Sequence, residues 1–81
     1  MGEKENLLQN INKIHTTELG EERLIRNLGL KNTNPVAFAK KFILKEKTHV
    51  YRRGKNFYCE LSGVRLTINA ITYTIITGHR Y

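Results

Sequence analysis

The chain has 81 residues, of which 40% are hydrophobic and 26% are charged, with one Pro and one Cys. This length supports one modest core and excludes two independent domains, so a single domain over residues 1–81 is predicted. The longest apolar stretches fall far short of the roughly 20 residues that a membrane span needs. The first residues, MGEKENLLQN, lack the basic-then-apolar order of a secretion signal, and we expect a cytoplasmic protein without membrane contact.

The charge balance points to a polyanionic partner. Fourteen Lys and Arg against seven acidic residues give a net charge of +7. A surplus of this size on a small domain favours RNA or another polyanion. An acidic protein, such as an antitoxin or inhibitor, fits the charge equally well.

Metal and cofactor chemistry has little support in the sequence. Cys59 is the only cysteine, which excludes an internal disulfide and a cysteine-rich metal site. His15, His49 and His79 are far apart and belong to different predicted elements, so no metal site is expected. No phosphate-binding glycine loop or nucleophile elbow is present, and no cofactor is predicted.

The N-terminal half predicts three helices, at about 3–15, 18–28 and 35–45. Apolar residues recur at helical spacing in each segment. Thr16 or Thr17 is a suitable N-cap for the second helix, and Gly29 is a suitable C-cap. Asn34 followed by Pro35 predicts the start of the third helix.

The C-terminal half predicts four strands, at about 48–53, 56–61, 64–69 and 72–79. Gly54 and Gly63 mark two tight hairpin turns. These turns place Val50 opposite Cys59, and Cys59 opposite Leu66. A third two-residue turn near residues 70–71 would place Leu66 opposite Ile75 and Thr67 opposite Thr74.

The alternation along these strands separates an apolar face from a polar face. The predicted core face comprises Val50, Phe57, Cys59, Leu61, Val64, Leu66, Ile68, Tyr73 and Ile75. The predicted polar face comprises His49, Tyr51, Arg53, Asn56, Tyr58, Glu60, Arg65, Thr67, Asn69, Thr72 and Thr74. The sequence therefore predicts an α+β fold, in which three N-terminal helices pack on one face of a four-stranded antiparallel β-meander.

The polar sheet face is the first candidate site. Arg and Lys neutralise phosphates, and Tyr offers a plane on which an unpaired base stacks. The predicted nucleic-acid-binding residues are Tyr51, Asn56, Tyr58, Arg65 and Asn69 on the strands, Lys55 in a turn, and Arg80 at the end. The alternative is an ordinary solvated face stabilised by cross-strand pairs such as Glu60 with Arg65.

Three residues are candidates for catalysis. His79 could transfer a proton at the end of the last strand, where the neighbouring Arg80 could stabilise a pentacovalent phosphate. Arg53 is the catalytic candidate on the sheet face. His15, at the junction between two helices, could be catalytic if the end of the sheet lies beside it. The alternatives are a terminal His on a fraying end, and a His15 that only caps helices.

Three segments carry a resemblance to a known family: IHTTELGEERLIRNLGL, RRGKNFY and LTINAITYTIITGH. In order and spacing they resemble a family of short bacterial proteins catalogued only as a domain of unknown function. The resemblance covers nearly the whole chain and implies a small stand-alone protein without an assigned activity. The positions that it marks are His15, Thr17, Arg53, Lys55, Asn56, Tyr58, Asn69, Tyr73, Thr77 and His79.

A second likeness concerns architecture and charge only. Helices followed by a four-stranded antiparallel sheet with scattered polar residues are similar to the barnase–EndoU–colicin–RelE group of metal-free nucleases. That likeness implies that Arg53, Lys55 and Arg65 hold phosphates, that Tyr58 stacks a base, and that His79 or His15 transfers protons. The chain departs from it because no catalytic Glu–His pair is evident.

These observations lead to two hypotheses of function. The first is RNA binding on the open sheet face, extended to a metal-independent, toxin-like endoribonuclease if the cations converge beside a His. The alternative is a non-enzymatic protein-binding module, of the phage or host-defence inhibitor type, that grips an acidic partner.

Overall fold

The computed structural model describes residues 2–81 and has three α-helices followed by a four-stranded antiparallel sheet. The α+β arrangement predicted from the sequence is confirmed. In chain order, the elements are α1 (Glu3–Gln9), a 3₁₀ turn (Ile11–Lys13), α2 (Glu18–Leu28), α3 (Pro35–Leu44), β1 (His49–Arg53), β2 (Asn56–Leu61), β3 (Val64–Asn69) and β4 (Ile75–Arg80).

Local capping chemistry explains where α2 and α3 begin and end. The Thr17 hydroxyl accepts a hydrogen bond from the Gly20 N–H at 3.0 Å, which caps α2. Gly29 ends α2 in the left-handed region, with φ 65°, where a glycine carries no steric cost. The Asn34 carboxamide accepts two backbone N–H groups at the start of α3, and Pro35 occupies the first turn. These predicted caps are confirmed.

The first helix is shorter than the predicted span of 3–15. It ends at Gln9, and a 3₁₀ turn follows before the chain becomes extended. His15 then pairs with the sheet: its N–H donates to the Tyr73 carbonyl at 3.2 Å, and its carbonyl accepts the Ile75 N–H at 2.7 Å. This pairing satisfies the backbone of a segment that helical periodicity alone assigns to α1.

The first two hairpins have the predicted register. Val50 lies opposite Cys59, and Cys59 lies opposite Leu66. Gly54 and Gly63 adopt φ values of 62° and 78° in the connecting turns, which glycine accepts readily. Turn residues and period-two alternation therefore determine the pairing of β1, β2 and β3.

The predicted pairing of the last strand is wrong. Leu66 lies opposite Gly78 instead of Ile75, and Thr67 lies opposite Thr77 instead of Thr74. The strand begins at Ile75, not near residue 72, and an irregularity interrupts the ladder between Thr67 and Ile68. The shift amounts to three residues. An odd shift exchanges the two faces of a strand, so Gly78, which lies opposite Leu66, is on the core face.

A five-residue connection causes this shift. The Asn69 Oδ1 atom accepts hydrogen bonds from the Ile71 and Thr72 N–H groups at 2.8 and 2.9 Å. The Tyr73 N–H donates to the Asn69 carbonyl, and Tyr73 has a φ of 61°. The connection is thus a closed, side-chain-capped loop and not the two-residue turn predicted near residues 70–71.

The helices cover one face of the sheet, where the core lies. α1 packs near β1, and α2 packs along β4. The predicted inward strand residues Phe57, Cys59, Leu66 and Ile68 are completely buried. The hydrophobic core joins them to helical residues, which are Leu7, Leu24, Leu28, Ala39, Phe42 and Ile43.

Gly78 allows α2 to approach β4 closely. A Cβ atom on Gly78 would lie 2.7 Å from the Cδ2 atoms of both Leu24 and Leu66, and 3.3 Å from Cδ1 of Leu28. We expect Gly78→Ala to destabilise the fold by about 1–3 kcal/mol, because these buried side chains must move. Urea unfolding measures the change.

A matched glycine provides the control for that prediction. A Cβ atom on Gly2 comes no closer than 4.0 Å to the nearest backbone atom, and only the N-cap preference for glycine is lost, so Gly2→Ala should lower the unfolding midpoint clearly less than Gly78→Ala. Equal midpoints for the Gly78 and Gly2 variants would contradict the close packing of α2 on β4.

Within residues 2–81, no helix has the length and apolar character needed to cross a membrane. In the same residues, no group of three or more His, Cys, Asp or Glu side chains is placed to hold a metal ion.

Candidate nucleic-acid interface

The face of the sheet opposite the helices carries a row of four ionisable side chains, one from each strand. His49 pairs with Glu60, Glu60 with Arg65, and Arg65 with His79. Direct cross-strand neighbours have Cβ atoms about 4.5–5.5 Å apart. We call these four residues the charged row. The shifted register of β4 is what brings His79 into it.

A second row lies beside the charged row and is aromatic at one end. It runs from Tyr51 through Tyr58 and Thr67 to Thr77. The Tyr51 and Tyr58 rings stack with centroids 5.4 Å apart and an interplanar angle of 23°. The ring centroid of His49 lies 5.4 Å from that of Tyr51, and the two rings are tilted by 35°. We call His49, Tyr51 and Tyr58 the aromatic ladder.

Glu60 is the hydrogen-bonding centre of this face. Its Oε2 atom accepts the Tyr51 hydroxyl at 2.6 Å and the Arg65 Nε–H at 2.8 Å. The Tyr81 hydroxyl approaches Oε1 at 3.4 Å, and the Arg65 guanidinium lies 5.0 Å from the centre of the Tyr81 ring. Oε1 has only this long contact, so it is the oxygen of Glu60 that can accept a proton.

These contacts shift the titration of the three groups. The pKa of Glu60 lies below its ordinary value, first because of the Tyr51 hydrogen bond and then because of Arg65. The same bond raises the pKa of Tyr51, and Glu60 raises the pKa of Arg65. The contribution of Glu60 to stability is present above its unfolded pKa, and is lost as the pH falls through the lower folded pKa.

The cationic side chains of this face differ in whether they already have an acidic partner. Arg65 forms the single salt bridge between side chains of residues 2–81, with Glu60. Arg53 is exposed at the opposite end of the face, across from Asn56, and Lys55 is exposed in the adjoining turn. Arg53 and Lys55 therefore remain open to phosphate, while Arg65 already has a partner.

Two predicted site residues lie away from the charged row. The Arg80 Nη2 atom donates to the Leu28 carbonyl at 3.0 Å, which places Arg80 on the helical side. The carboxamide oxygen of Asn69 caps the β3–β4 connection. Arg53, Lys55, Arg65 and Arg80 thus do not converge on one site.

His15 lies far from His79 along β4. Its Nδ1 atom is 2.8 Å from the Lys13 carbonyl, and its Nε2 atom is 3.1 Å from the Thr74 hydroxyl. The five residue steps from Thr74 to His79 span about 16 Å of strand. One ring nitrogen of His15 thus contacts Thr74 just before β4 and the other contacts the Lys13 carbonyl, so the two histidines do not form one proton-transfer pair.

Sequence reasoning left three residues of this face out of the candidate site. His49 and Glu60 belong to the predicted polar face, but polar side chains on a wet sheet face are typical of simple sheet stabilisation. Tyr81 follows the last strand, where no alternation indicates its direction. The register of the first two hairpins could have identified His49 and Glu60 as site residues, because it aligns them with Arg65 in one row.

Comparison with known proteins identifies the family. Residues 8–79 match the family model described as protein of unknown function (DUF3781). The chain belongs to this family. The resemblance to a family of unknown function is thereby confirmed. No curated protein and no solved structure gives a significant match, and the likeness to barnase–EndoU–colicin–RelE nucleases gains no support.

The three segments that carry the DUF3781 resemblance meet around the β3–β4 connection. His15 contacts Thr74, and the Thr16 hydroxyl donates to the Ile75 carbonyl at 2.9 Å. The Lys55 carbonyl accepts the Ala70 N–H at 2.7 Å. These contacts hold the β3–β4 connection, which sets the register of β4. The resemblance of the three segments to the family is therefore explained in part by a structural role.

Proposed function

We propose that this DUF3781 protein binds single-stranded RNA on the open face of its sheet. The observation that carries the proposal is the aromatic ladder beside exposed, unpaired cations. Stacking on an aromatic ring is available to any unpaired base, whereas a base within a duplex presents no free plane. The stacked Tyr51 and Tyr58 rings supply that surface on adjacent strands.

Charge and hydrogen-bonding groups around the ladder suit a nucleotide chain. Arg53 and Lys55 lie at one end of the face and are free to contact phosphates. Thr77 lies in the same cross-strand row as the tyrosines, and Asn56 lies two residues before Tyr58 on β2. Both side chains can bond to base edges or to the ribose 2′-hydroxyl. The net charge of +7 favours encounter with any polyanion, and the ladder favours one with unpaired bases.

Tyr58→Ala tests the proposal directly. Loss of one stacking platform is expected to cost about 1–3 kcal/mol, which is a 5- to 150-fold weaker affinity for single-stranded RNA. Fluorescence polarisation with a labelled, unstructured 12-nucleotide RNA measures the affinity. Tyr58→Phe is the matched control, since it retains the ring and should bind nearly as well as the wild type.

Salt dependence separates phosphate contacts from stacking. Arg53→Gln and Lys55→Gln should each lower the slope of log affinity against log salt by about 0.7, the value for one phosphate contact to a single strand. Tyr58→Ala should leave the slope unchanged. Equal affinity of the wild type and Tyr58→Ala would contradict binding at the ladder. No RNA binding even at low salt would favour an acidic protein partner.

A second candidate function is metal-independent cleavage of the bound RNA, and the charged row favours it. Glu60 Oε1 would remove the proton of a ribose 2′-hydroxyl, whose oxygen attacks the neighbouring phosphorus. Arg65 would stabilise the pentacovalent phosphate. The P–O5′ bond breaks, and a protonated His79 gives its proton to the leaving oxygen. The products would be a 2′,3′-cyclic phosphate and a 5′-hydroxyl.

A further inference from the structure

A second feature lies on the helical side of the sheet and is separate from the proposed RNA surface. It is a pocket of about 290 Å³ between the C-terminal end of α2, the helix α3 and the β2–β3 hairpin. Among the residues that line the pocket are Phe38, Phe42, Lys45, Leu61, Val64 and Arg80. None of them belongs to the charged row or to the aromatic ladder.

Most of the side chains that line this pocket are apolar. Phe38 and Phe42 stack with ring centroids 5.9 Å apart and form one side. Leu61 and Val64 of the hairpin form the other side and pack against the core. A volume close to 300 Å³ is at the lower end of the range for small-molecule sites, and it suits one ring or a short alkyl chain.

Two cations stand at the rim. Arg80 is held in place because its Nη2 atom donates to the Leu28 carbonyl at 3.0 Å, at the end of α2. A guanidinium has five N–H donors, so others remain for a ligand. Lys45 is exposed, and Lys41 lines the adjoining hollow, which shares Phe38, Phe42 and Lys45 with the pocket.

The electrostatics of the rim favour an anion. All the acidic residues of the chain are glutamates, and none lines the pocket. The C-terminal ends of α2 and α3 both bring partial negative charge to the pocket; the bond from Arg80 to Leu28 offsets it at α2, and the Lys45 side chain offsets it at α3. Arg80 and Lys45 therefore leave net positive charge beside an apolar cavity.

We propose that this pocket binds a small amphipathic carboxylate, whose aliphatic or aromatic body enters the pocket and whose carboxylate meets Arg80 and Lys45. A guanidinium matches a carboxylate with two parallel hydrogen bonds. The occupant is a free small molecule because the volume accommodates one compact apolar group. The site goes beyond RNA binding and does not depend on it.

NMR titration of the ¹⁵N-labelled full chain tests the proposal, with octanoate as the probe below its micelle concentration. Octanoate should shift the amide signals of lining residues such as Phe42, Ser62 and Val64. Octylammonium, which has the same chain and the opposite charge, should not. From butanoate to octanoate, each added CH₂ should tighten binding about three- to fourfold until the pocket is filled.

Charge variants identify the anchor. Arg80→Gln should weaken octanoate binding about tenfold or more, since a charged hydrogen-bond partner is lost. Because that variant also loses the bond to Leu28, Lys45→Gln provides an independent measure and should weaken binding severalfold. Lys40→Gln removes the same charge from α3, the helix that Lys45 follows, without lining the pocket, and should bind octanoate as the wild type does.

Several outcomes would overturn the proposal. Equal binding of octanoate and octylammonium, or an affinity insensitive to chain length, would remove the charge-selective pocket. Shifts confined to the sheet face would place the ligand elsewhere. A concentration-dependent dimer with protected pocket amides would identify a second copy of the chain as the occupant. Tyr58→Ala should leave octanoate binding intact, so failure of the RNA proposal and failure of this one are distinguishable.

Discussion

Phe57→Ala is expected to lower the free energy of unfolding by about 3–5 kcal/mol. Phe57 is completely buried at the centre of the sheet, opposite Ile68, and its ring lies 6.3 Å from that of Tyr73. An 81-residue domain has a total stability of about 4–12 kcal/mol, so this single truncation removes much of it. Urea unfolding, monitored by circular dichroism, measures the loss.

Phe57→Leu is the matched control for that truncation. It retains most of the apolar volume and should cost clearly less than the alanine change. The dependence of unfolding on urea should have the same slope in both variants, since the surface exposed on unfolding changes little. A loss below about 1 kcal/mol for Phe57→Ala would contradict the central position of this ring in the core.

The pairing of the first three strands was predictable because the signals were local. Gly54 and Gly63 supply the positive φ values that tight turns need, and each turn fixes the register of its hairpin. Alternation then decides which side chains enter the core, since a slip of one residue would expose all of them. Phe57, Cys59 and Leu66 are buried for this reason.

The fourth strand was not predictable because distant residues determine its start. The connection after Asn69 contains no Gly or Pro to indicate a turn. Its geometry depends on bonds to the Asn69 side chain and on pairing with His15, 59 residues away from Thr74 in sequence. The same long-range pairing explains why α1 ends early. Helical periodicity and turn statistics describe neighbouring residues only, so they indicate neither the bonds to Asn69 nor the pairing with His15.

The residues of the candidate site were likewise predictable on β1–β3 and not on β4. Tyr51, Tyr58 and Arg65 lie on the first three strands, and their common face followed from the register. His79 reaches that face only through the shifted pairing of β4, which the sequence did not indicate. Arg80 reaches the opposite face for the same reason and contributes to the apolar pocket. Assignment of function to the end of β4 therefore required the structure.

Glu60→Gln and His79→Gln are each expected to lower the rate of RNA cleavage by about 100- to 10,000-fold, if the charged row is catalytic. Each change removes one of the two groups that move a proton, while Arg65 and the aromatic ladder remain. Purified protein incubated with end-labelled, single-stranded RNA in EDTA measures the rate. A 2′,3′-cyclic phosphate on the 5′ fragment identifies the reaction.

The pH dependence gives an independent readout for Glu60. Hydrogen bonds from Tyr51 and Arg65 hold the pKa of Glu60 below its ordinary value, so the carboxylate stays ionised in mildly acidic solution. The acid limb of the rate should therefore lie below the ordinary Glu value of about 4.3. Tyr51→Phe removes the largest cause of the shift, and should move this limb to higher pH.

Binding and chemistry are separated by comparing these variants. Glu46→Gln is the matched control, since it removes an exposed carboxylate outside the charged row and should cleave as the wild type does. Glu60→Gln should bind RNA at least as well as the wild type, because a negative charge leaves the face. RNA that stays intact with the wild type, while Tyr58-dependent binding persists, would exclude the catalytic role and leave a single-strand-binding protein.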